Sequence, residues 1–432
     1  MPRRFIPKYL LNCYHRLSAI LADIWYGHPS RKLVVIGVTG TNGKTTTAHF
    51  ITTVLEARGL RVGLISTIVI RIGGEERVNE TKMTSLKNCW QLQRLLAAMV
   101  AAGDTYAVVE TTSHALNQYR VHAIAYDVAV LTNVTHEHLD YHKTLDRYRK
   151  AKERLFAMVA SRSKKIIDGK NVPRVTVVNA DDPSAPSFLR YRSDVRSAYG
   201  FGARPQEVEE KNFITQKSLA TPLQIPGRFT LANACAAFAV ATVLGIPHDV
   251  ARHALQSVKG IPGRLERIDE GQSFIAMIDY AVTPDSFEKL AEVVRGEILA
   301  KGARWWWVFG ATGERDRAKR PILGEIAGRV ADFVVLTNED PFHEDPERIL
   351  DEVEAGVKKS GKEKEKNYWR TLDRRAAIRY ALERAKPGDV VTITGKGAET
   401  AMAIGDNRVP WDERQIVREI LGEIATSASR SG

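Results

Sequence analysis

Cysteine is scarce in this chain: Cys13, Cys89 and Cys235 are the only three in 432 residues, and their spacing pairs none of them. That excludes a disulfide scaffold or a four-cysteine zinc module and makes a reducing compartment the expectation. Long apolar runs are also lacking. No window of ~18 uncharged apolar residues occurs, so no membrane-spanning helix is expected. Lys8, Arg16 and Asp23 interrupt the first apolar stretch and no A-x-A site follows it, which argues against a secretory signal. Acids are outnumbered, 51 against 63 Lys and Arg, and the formal charge of +12 suits a polyanionic partner: nucleotide phosphates, nucleic acid or an anionic membrane. The excess clusters in the first 32 residues and in 162–174, 301–320 and 358–366, the last reading as a solvated loop. Missing, too, is a basic array interleaved with aromatics, so nucleic acid is not an expected partner. What is present is ordinary globular material, 44% hydrophobic and 26% charged, enough for two or three domains.

Short β-branched runs alternate with helical patterns. Residues 33–38 read as a strand, 46–58 as a helix, 62–72 as a strand, 88–102 as a helix, and 106–110 and 128–133 as strands. A helix over 145–160 and a strand over 175–179 follow. Such alternation predicts an α/β fold with a mainly parallel sheet. Residues 194–223 are turn-rich and read as a small antiparallel insertion. G-I-P-G-R at 260–264 reads as a hinge, and a second α/β series follows with strands at 274–279, 305–309, 333–337 and 390–394. The expected division is an N-terminal amphipathic helix over 1–32, a central P-loop-type domain over 33–262 and a Rossmann-like domain over 263–432.

Between a strand and a helix stands G-V-T-G-T-N-G-K-T-T-T, from Gly37 to Thr47. Small residues let the backbone curl so that amide N–H groups and the helix N-terminus face phosphate oxygens. Lys44 would neutralise the outer phosphates and Thr45 would ligate Mg²⁺. Val38 stands where a strict Walker A loop has its first glycine.

The segment Gly40, Thr41, Asn42, Gly43, Lys44, Thr45 resembles the nucleotide loop of the Mur ligase superfamily, ATP-dependent amide-forming ligases of peptidoglycan precursor synthesis. Further segments are similar in order: E-T-T-S-H-A-L from Glu110, T-N-V-T-H-E-H-L-D from Thr132, Y-R-K-A-K from Tyr148 and N-A-D-D-P from Asn179. Then come P-G-R-F-T-L-A-N-A from Pro226, G-I-P-G-R-L-E from Gly260, D-Y-A-V-T-P from Asp279, F-G-A-T-G-E-R-D-R-A-K-R-P from Phe309 and G-K-G-A-E from Gly395. They span 33 to about 415 and most resemble the MurE type, which adds the third peptide residue.

The resemblance implies a two-step reaction. A carboxylate attacks the ATP γ-phosphate to give an acyl phosphate, and an amine then displaces phosphate. It implies two Mg²⁺ ions, with Thr45, Glu110 and His138 as ligands, and Lys152 as a carbamate formed with CO₂. Read singly, Glu110 is a surface strand end, His138 a structural histidine and Lys152 a solvated helix lysine. His136 is a weaker match. Thr46, Asn233 at the adenine, Arg264 at the γ-phosphate and Asp279 at the ribose complete the implied nucleotide site, although Asn233 also reads as a helix N-cap. Ser113 and Arg120 resemble residues that touch the muramoyl peptide; Met83–Ser85 departs from the family's T-T-P. Arg320, Gly395 and Glu399 align with amino-acid-binding positions. The usual D-N-P-R box reads Glu339, Asp340, Pro341, Phe342, and Phe342 cannot make the arginine's bidentate carboxylate pair. The acids Glu339, Asp340 and Glu399 would favour a basic amine such as lysine, with a diaminopimelate-like amine the other choice. Val282 and Ala398 replace family histidines.

The implied partners are a muramoyl-peptide acceptor and a free amino acid, in a cytoplasmic monomer or dimer. A Mur-like subunit that activates a lipid-linked carboxylate for an amidotransferase is the other reading. Such proteins usually carry a four-cysteine insertion. MurE-type ligases normally open with a domain that holds the uridine diphosphate, whereas about 32 residues precede the first strand here. Within them Ile6, Leu10, Cys13, Leu17, Ile20 and Ile24, widened by Tyr9, Tyr14, Leu21 and Trp25, form one helical seam. It would pack on the ATPase domain or a second subunit, or lie on the inner face of the membrane through residues 1–28.

Overall fold

The computed structural model describes residues 8–79, 88–135, 137–163, 165–220 and 222–431. Met83–Ser85, His136 and the seam's first residue, Ile6, lie outside them. The chain divides into two compact units, Met1–Gln224 with Phe229–Val258, and Ile225–Arg228 with Lys259–Gly432.

The strands of the first unit are β1 (Val34–Thr39), β2 (Val62–Ile65), β3 (Val69–Ile72), β4 (Glu75–Val78), β5 (Tyr106–Glu110), β6 (Val128–Leu131), β7 (Lys165–Ile167), β8 (Lys170–Val172), β9 (Val175–Asn179), β10 (Val195–Tyr199) and β11 (Phe213–Ile214). Nine form one sheet in the order β11-β10-β9-β6-β1-β5-β2-β3-β4, while β7 and β8 make a separate hairpin. From β11 to β2 the pairing is parallel. The apolar positions of β1, β2, β6 and β9 are buried because helices cover them. The helices of this unit include α1 (Lys8–Trp25), α2 (Lys44–Ala57), α3 (Cys89–Ala101), α4 (Ser113–Asn117), α5 (Leu139–His142) and α6 (Leu145–Ser161). Thr112 and Thr144 cap α4 and α6 with hydroxyls that accept backbone N–H bonds.

Two expectations change. The run 62–72 is two antiparallel strands, because the Ser66 hydroxyl accepts from Val69 N and turns the chain between them. Residues 194–223 are not an antiparallel insertion: β10 pairs parallel with β9, and β11 with β10, extending the main sheet.

The second unit has β12 (Glu266–Ile268), β13 (Ile275–Asp279), β14 (Trp305–Phe309), β15 (Phe333–Thr337), β16 (Tyr368–Thr371) and β17 (Val390–Thr394), ordered β12-β13-β17-β14-β15-β16. Only β12 runs antiparallel. In β14, Trp305 and Trp307 stack on one face while Trp306 packs on Phe333 and Trp369 on the other. That follows from the two-residue period of a strand. β18 (Ala401–Ile404) and β19 (Asn407–Pro410) form a hairpin.

Candidate active site

In parallel sheets, ligand sites collect at the carboxyl ends of neighbouring strands. Here β1 lies between β5 and β6, in a register that pairs Val38 with Glu110 and Thr39 with Leu131. The loop after β1 therefore meets the ends of both neighbours. Gly40 stands so close to β6 that a Cβ would come 1.7 Å from the Thr132 hydroxyl. Thr132 Oγ1 donates to Asn42 O at 2.6 Å, Asn133 Nδ2 donates to the same carbonyl at 3.0 Å, and Asn133 Oδ1 accepts from Asn42 N at 2.9 Å. Thr132 and Asn133 thus hold the phosphate loop in shape. The signal for them was the quoted T-N-V-T segment, which sequence reading assigned no role.

Gly43 precedes α2 at φ 81°, and Lys44 Nζ donates back to Thr41 O at 2.7 Å. Thr45 and Thr46 are buried in the first turn of α2. Thr45 Oγ1 donates to Glu110 Oε2 at 3.0 Å, and the same oxygen accepts from Thr67 N at 2.9 Å. Glu110 is thus a buried strand end. A hydroxyl and a carboxylate are hard oxygen donors that suit Mg²⁺. Among the described residues, no group of three His, Cys, Asp or Glu forms a ready metal cluster. His138, at φ 55°, stacks edge-on against His114 at 4.7 Å and lies 6.0 Å from the Tyr148 ring.

Tyr148 links these parts. Its hydroxyl donates to Thr41 Oγ1 at 3.2 Å, and its ring lies 4.2 Å from Lys152 Nζ. Lys152, 1% exposed, donates to Gly40 O at 2.5 Å. Burial and the nearby Lys44 ammonium hold its amine well below lysine's ordinary range, against the pull of Asp182 and Glu137. Asn233, from the helix Arg228–Val243, places its amide against Gly43 and accepts from the Thr47 hydroxyl at 3.2 Å, so it lies inside that helix rather than capping it. Ser113 is buried with its hydroxyl 3.1 Å from His142 Nε2, while the partly buried Arg120 follows α4.

In the second unit, Asp279 ends β13, while Gly395 and the loop 338–342 follow the ends of β17 and β15. Asp279 Oδ2 accepts from Leu265 N at 2.9 Å; burial raises its pKa, with Arg264 opposing. The Arg264 guanidinium lies 4.6 Å from the Tyr280 ring, and Tyr280 OH donates to Glu399 Oε1. Lys396, fully buried, donates to Glu399 Oε2 at 2.5 Å and to both Asp340 oxygens at 3.0 Å. Two of the three acids expected to attract a basic amine are therefore already bound to a lysine of the chain itself. Glu339 accepts from the Thr312 hydroxyl at 2.5 Å and packs so tightly on Gly395 that a Cβ there would come 2.6 Å from its oxygen. Burial pushes Glu339 up. Arg320 is buried between Glu344 and Glu352, 2.8 Å from each. Phe342 bridges to the β18 hairpin through Ile404. Lys396 and Tyr280 were legible only as members of their segments.

The family model described as the Mur ligase middle domain matches residues 38–241, and that of the Mur ligase glutamate ligase domain matches 263–397. The UDP-N-acetylmuramyl-tripeptide synthetase of Roseiflexus sp. (strain RS-1) is 42% identical over 425 residues, 94% of this chain and 82% of that protein. A UDP-N-acetylmuramoyl-L-alanyl-D-glutamate–2,6-diaminopimelate ligase of Geobacillus thermodenitrificans (strain NG80-2) is 39% identical, over 97% of this chain and 85% of its own. Folylpolyglutamate synthase of Mycobacterium tuberculosis, solved with ADP and AMPPCP, superposes with a TM-score of 0.65 over 88% of this chain and 92% of that one. At 18% identity that likeness is one of fold alone. With two domain models matched and relatives of this identity across most of its length, the chain belongs to the Mur ligase family.

Proposed function

We propose that this protein is an ATP-dependent, ADP-forming ligase that joins an amino acid to a muramoyl-peptide precursor of peptidoglycan through an acyl phosphate. The observation that carries the reading is the phosphate loop whose Thr45 hydroxyl meets the buried Glu110 carboxylate at 3.0 Å. The relatives named above, tripeptide synthetase and diaminopimelate ligase, give the substrate class. They do not favour an amidotransferase subunit.

In this reading the amides of Gly40–Thr46 and the Lys44 ammonium bind the ATP phosphates and offset the repulsion between two approaching anions. Mg²⁺ would be held by Thr45 and Glu110, with His138 and a Lys152 carbamate completing the set, and would add positive charge at the transferred phosphoryl group. Carbamate formation needs a neutral amine, and the burial of Lys152 beside Lys44 favours that form. Asn233 and Asp279 are assigned to adenine and ribose, Arg264 to the γ-phosphate, and Ser113 and Arg120 to the muramoyl peptide. Arg320, Glu339, Asp340, Gly395 and Glu399 are assigned to the incoming amino acid, of lysine or diaminopimelate type. Lys396 already engages Asp340 and Glu399, so they would meet the amine as part of a network. The protein acts in the cytoplasm, with its N-terminal helix in peripheral membrane contact.

ADP release with a UDP-muramoyl dipeptide and each candidate amine tests this. Amine-dependent ADP and a product of the matching amide mass are expected. ADP release indifferent to both acceptor and amine would sink the proposal.

A further inference from the structure

The amphipathic seam of α1 is not where the first unit packs. The helix lies on α3 through its small-residue side. Ala19 and Ala22 are buried, Ser18 Oγ is 3.3 Å from Cys89 Sγ and accepts from Trp90 Nε1 at 3.0 Å, and His15 Nδ1 is 3.1 Å from Gln118 O. The large apolar residues face outward. Tyr14 is 65% exposed, Leu17 61%, Leu21 58%, Ile24 55% and Trp25 76%, with Ile20 at 42%. Spacings of three and four place these side chains on one stripe. Trp90 of α3, itself 39% exposed, continues it beside Tyr26, ring centroids 6.4 Å apart.

Charge identifies the occupant. Residues 1–32 contain six cations, Arg3, Arg4, Lys8, Arg16, Arg31 and Lys32, and one acid, Asp23. That acid is buried and bound to His28 Nδ1 at 2.6 Å. Arg16, Arg31 and Lys32 are exposed. An exposed apolar stripe that carries aromatic rings, in a segment whose exposed charges are of one sign, matches the plane between anionic headgroups and acyl chains. Tyr and Trp suit that plane because each has an apolar body and a polar tip. A second copy of the helix fits worse, since face-to-face stripes would bring two sets of cations together with no exposed acid between them. No helix among the described residues is long and apolar enough to cross a membrane, so the helix would lie in the surface.

We infer that α1 docks this protein on anionic lipid bilayers through Tyr14, Leu17, Ile20, Leu21, Ile24 and Trp25, with Arg16, Arg31 and Lys32 at the headgroups. The inference deepens the peripheral contact named above but does not rest on the ligase reading, because docking needs no turnover.

Flotation of the full chain with vesicles of phosphatidylcholine, with and without phosphatidylglycerol, tests it. The wild type co-floats with the anionic vesicles, less at high salt, and stays behind with phosphatidylcholine alone. Leu17→Glu/Ile24→Glu abolishes flotation but keeps the urea midpoint and any turnover on a soluble acceptor, since both side chains are exposed. Arg31→Gln/Lys32→Gln weakens binding on the order of 30-fold. Equal flotation of the wild type and Leu17→Glu/Ile24→Glu, or no flotation of either, overturns the proposal. So does a concentration-dependent dimer that this variant dissolves without any flotation of the wild type.

Discussion

Gly43→Ala tests how tightly the phosphate loop is held. Gly43 sits at φ 81°, where an L-residue costs ~1–2 kcal/mol. An added Cβ would stand 2.3 Å from Asn233 Oδ1 and 3.1 Å from its Cγ and Nδ2. Asn233 is 6% exposed and accepts the Thr47 hydroxyl, so swinging its amide aside gives up a hydrogen bond worth ~1 kcal/mol. Leaving its preferred rotamer costs about another 1 kcal/mol. The expected loss is ~3–4 kcal/mol by urea unfolding, the sum of those three costs. ATP affinity should fall at least about tenfold, because amides displaced from the phosphates cannot be replaced by a flexible side chain. Asn233→Ala removes the obstructing amide, so the same substitution in that background should cost only its backbone share. A double-mutant cycle on the four proteins should show ~1–2 kcal/mol of coupling. Additivity to within ~0.5 kcal/mol would mean that Asn233 does not brace Gly43.

Lys44→Ala and Glu110→Gln should each lower ligase turnover by at least about a hundredfold with unchanged circular dichroism, and wild-type turnover in either would remove that residue from the site. Lys152→Met should abolish turnover yet stabilise the fold in CO₂-free buffer. The folded chain holds the Lys152 amine below its ordinary range, so wild-type stability is lost as pH falls from lysine's usual ~10.4 through the folded pKa. The variant's advantage should therefore be full below that folded pKa and vanish above ~10.4, and identical pH slopes of the urea midpoints would contradict the burial argument. Lys396→Met strips the buried Asp340 carboxylate and the partly buried Glu399 carboxylate of their cation and should cost ~3–5 kcal/mol. Adding Asp340→Asn and Glu399→Gln should recover most of it, and a single-variant cost under ~1 kcal/mol would show that the network is not a unit.

Local pattern made the strands and the phosphate loop legible. Residues 106–110, 305–309, 333–337 and 390–394 read as strands over the ranges they occupy, because β-branched and aromatic runs suit buried parallel strands whatever their neighbours. Gly40–Thr45 reads as a phosphate loop because small residues, a lysine and a helix start need only be adjacent in sequence. Ambiguity arose where local and non-local forces compete. Residues 62–72 read as one strand, yet the Ser66 hydroxyl folds them into two. Tyr-Arg-Lys-Ala-Lys looks like a solvated helix face, but α6 packs beside β1 and buries Lys152 against Gly40. Thr45 and Glu110, 65 positions apart, meet because β1 and β5 are neighbours in register. Asp340 and Glu399 looked like open acids until β15 and β17 brought Lys396 between them. The spacing along α1 determined an apolar stripe, whereas tertiary packing decided that the small residues face α3 and the stripe faces out. Sequence sets which residues share a face, because helical and strand periods are local. Which face finds a partner depends on chain segments far away, whose positions only the folded sheet supplies.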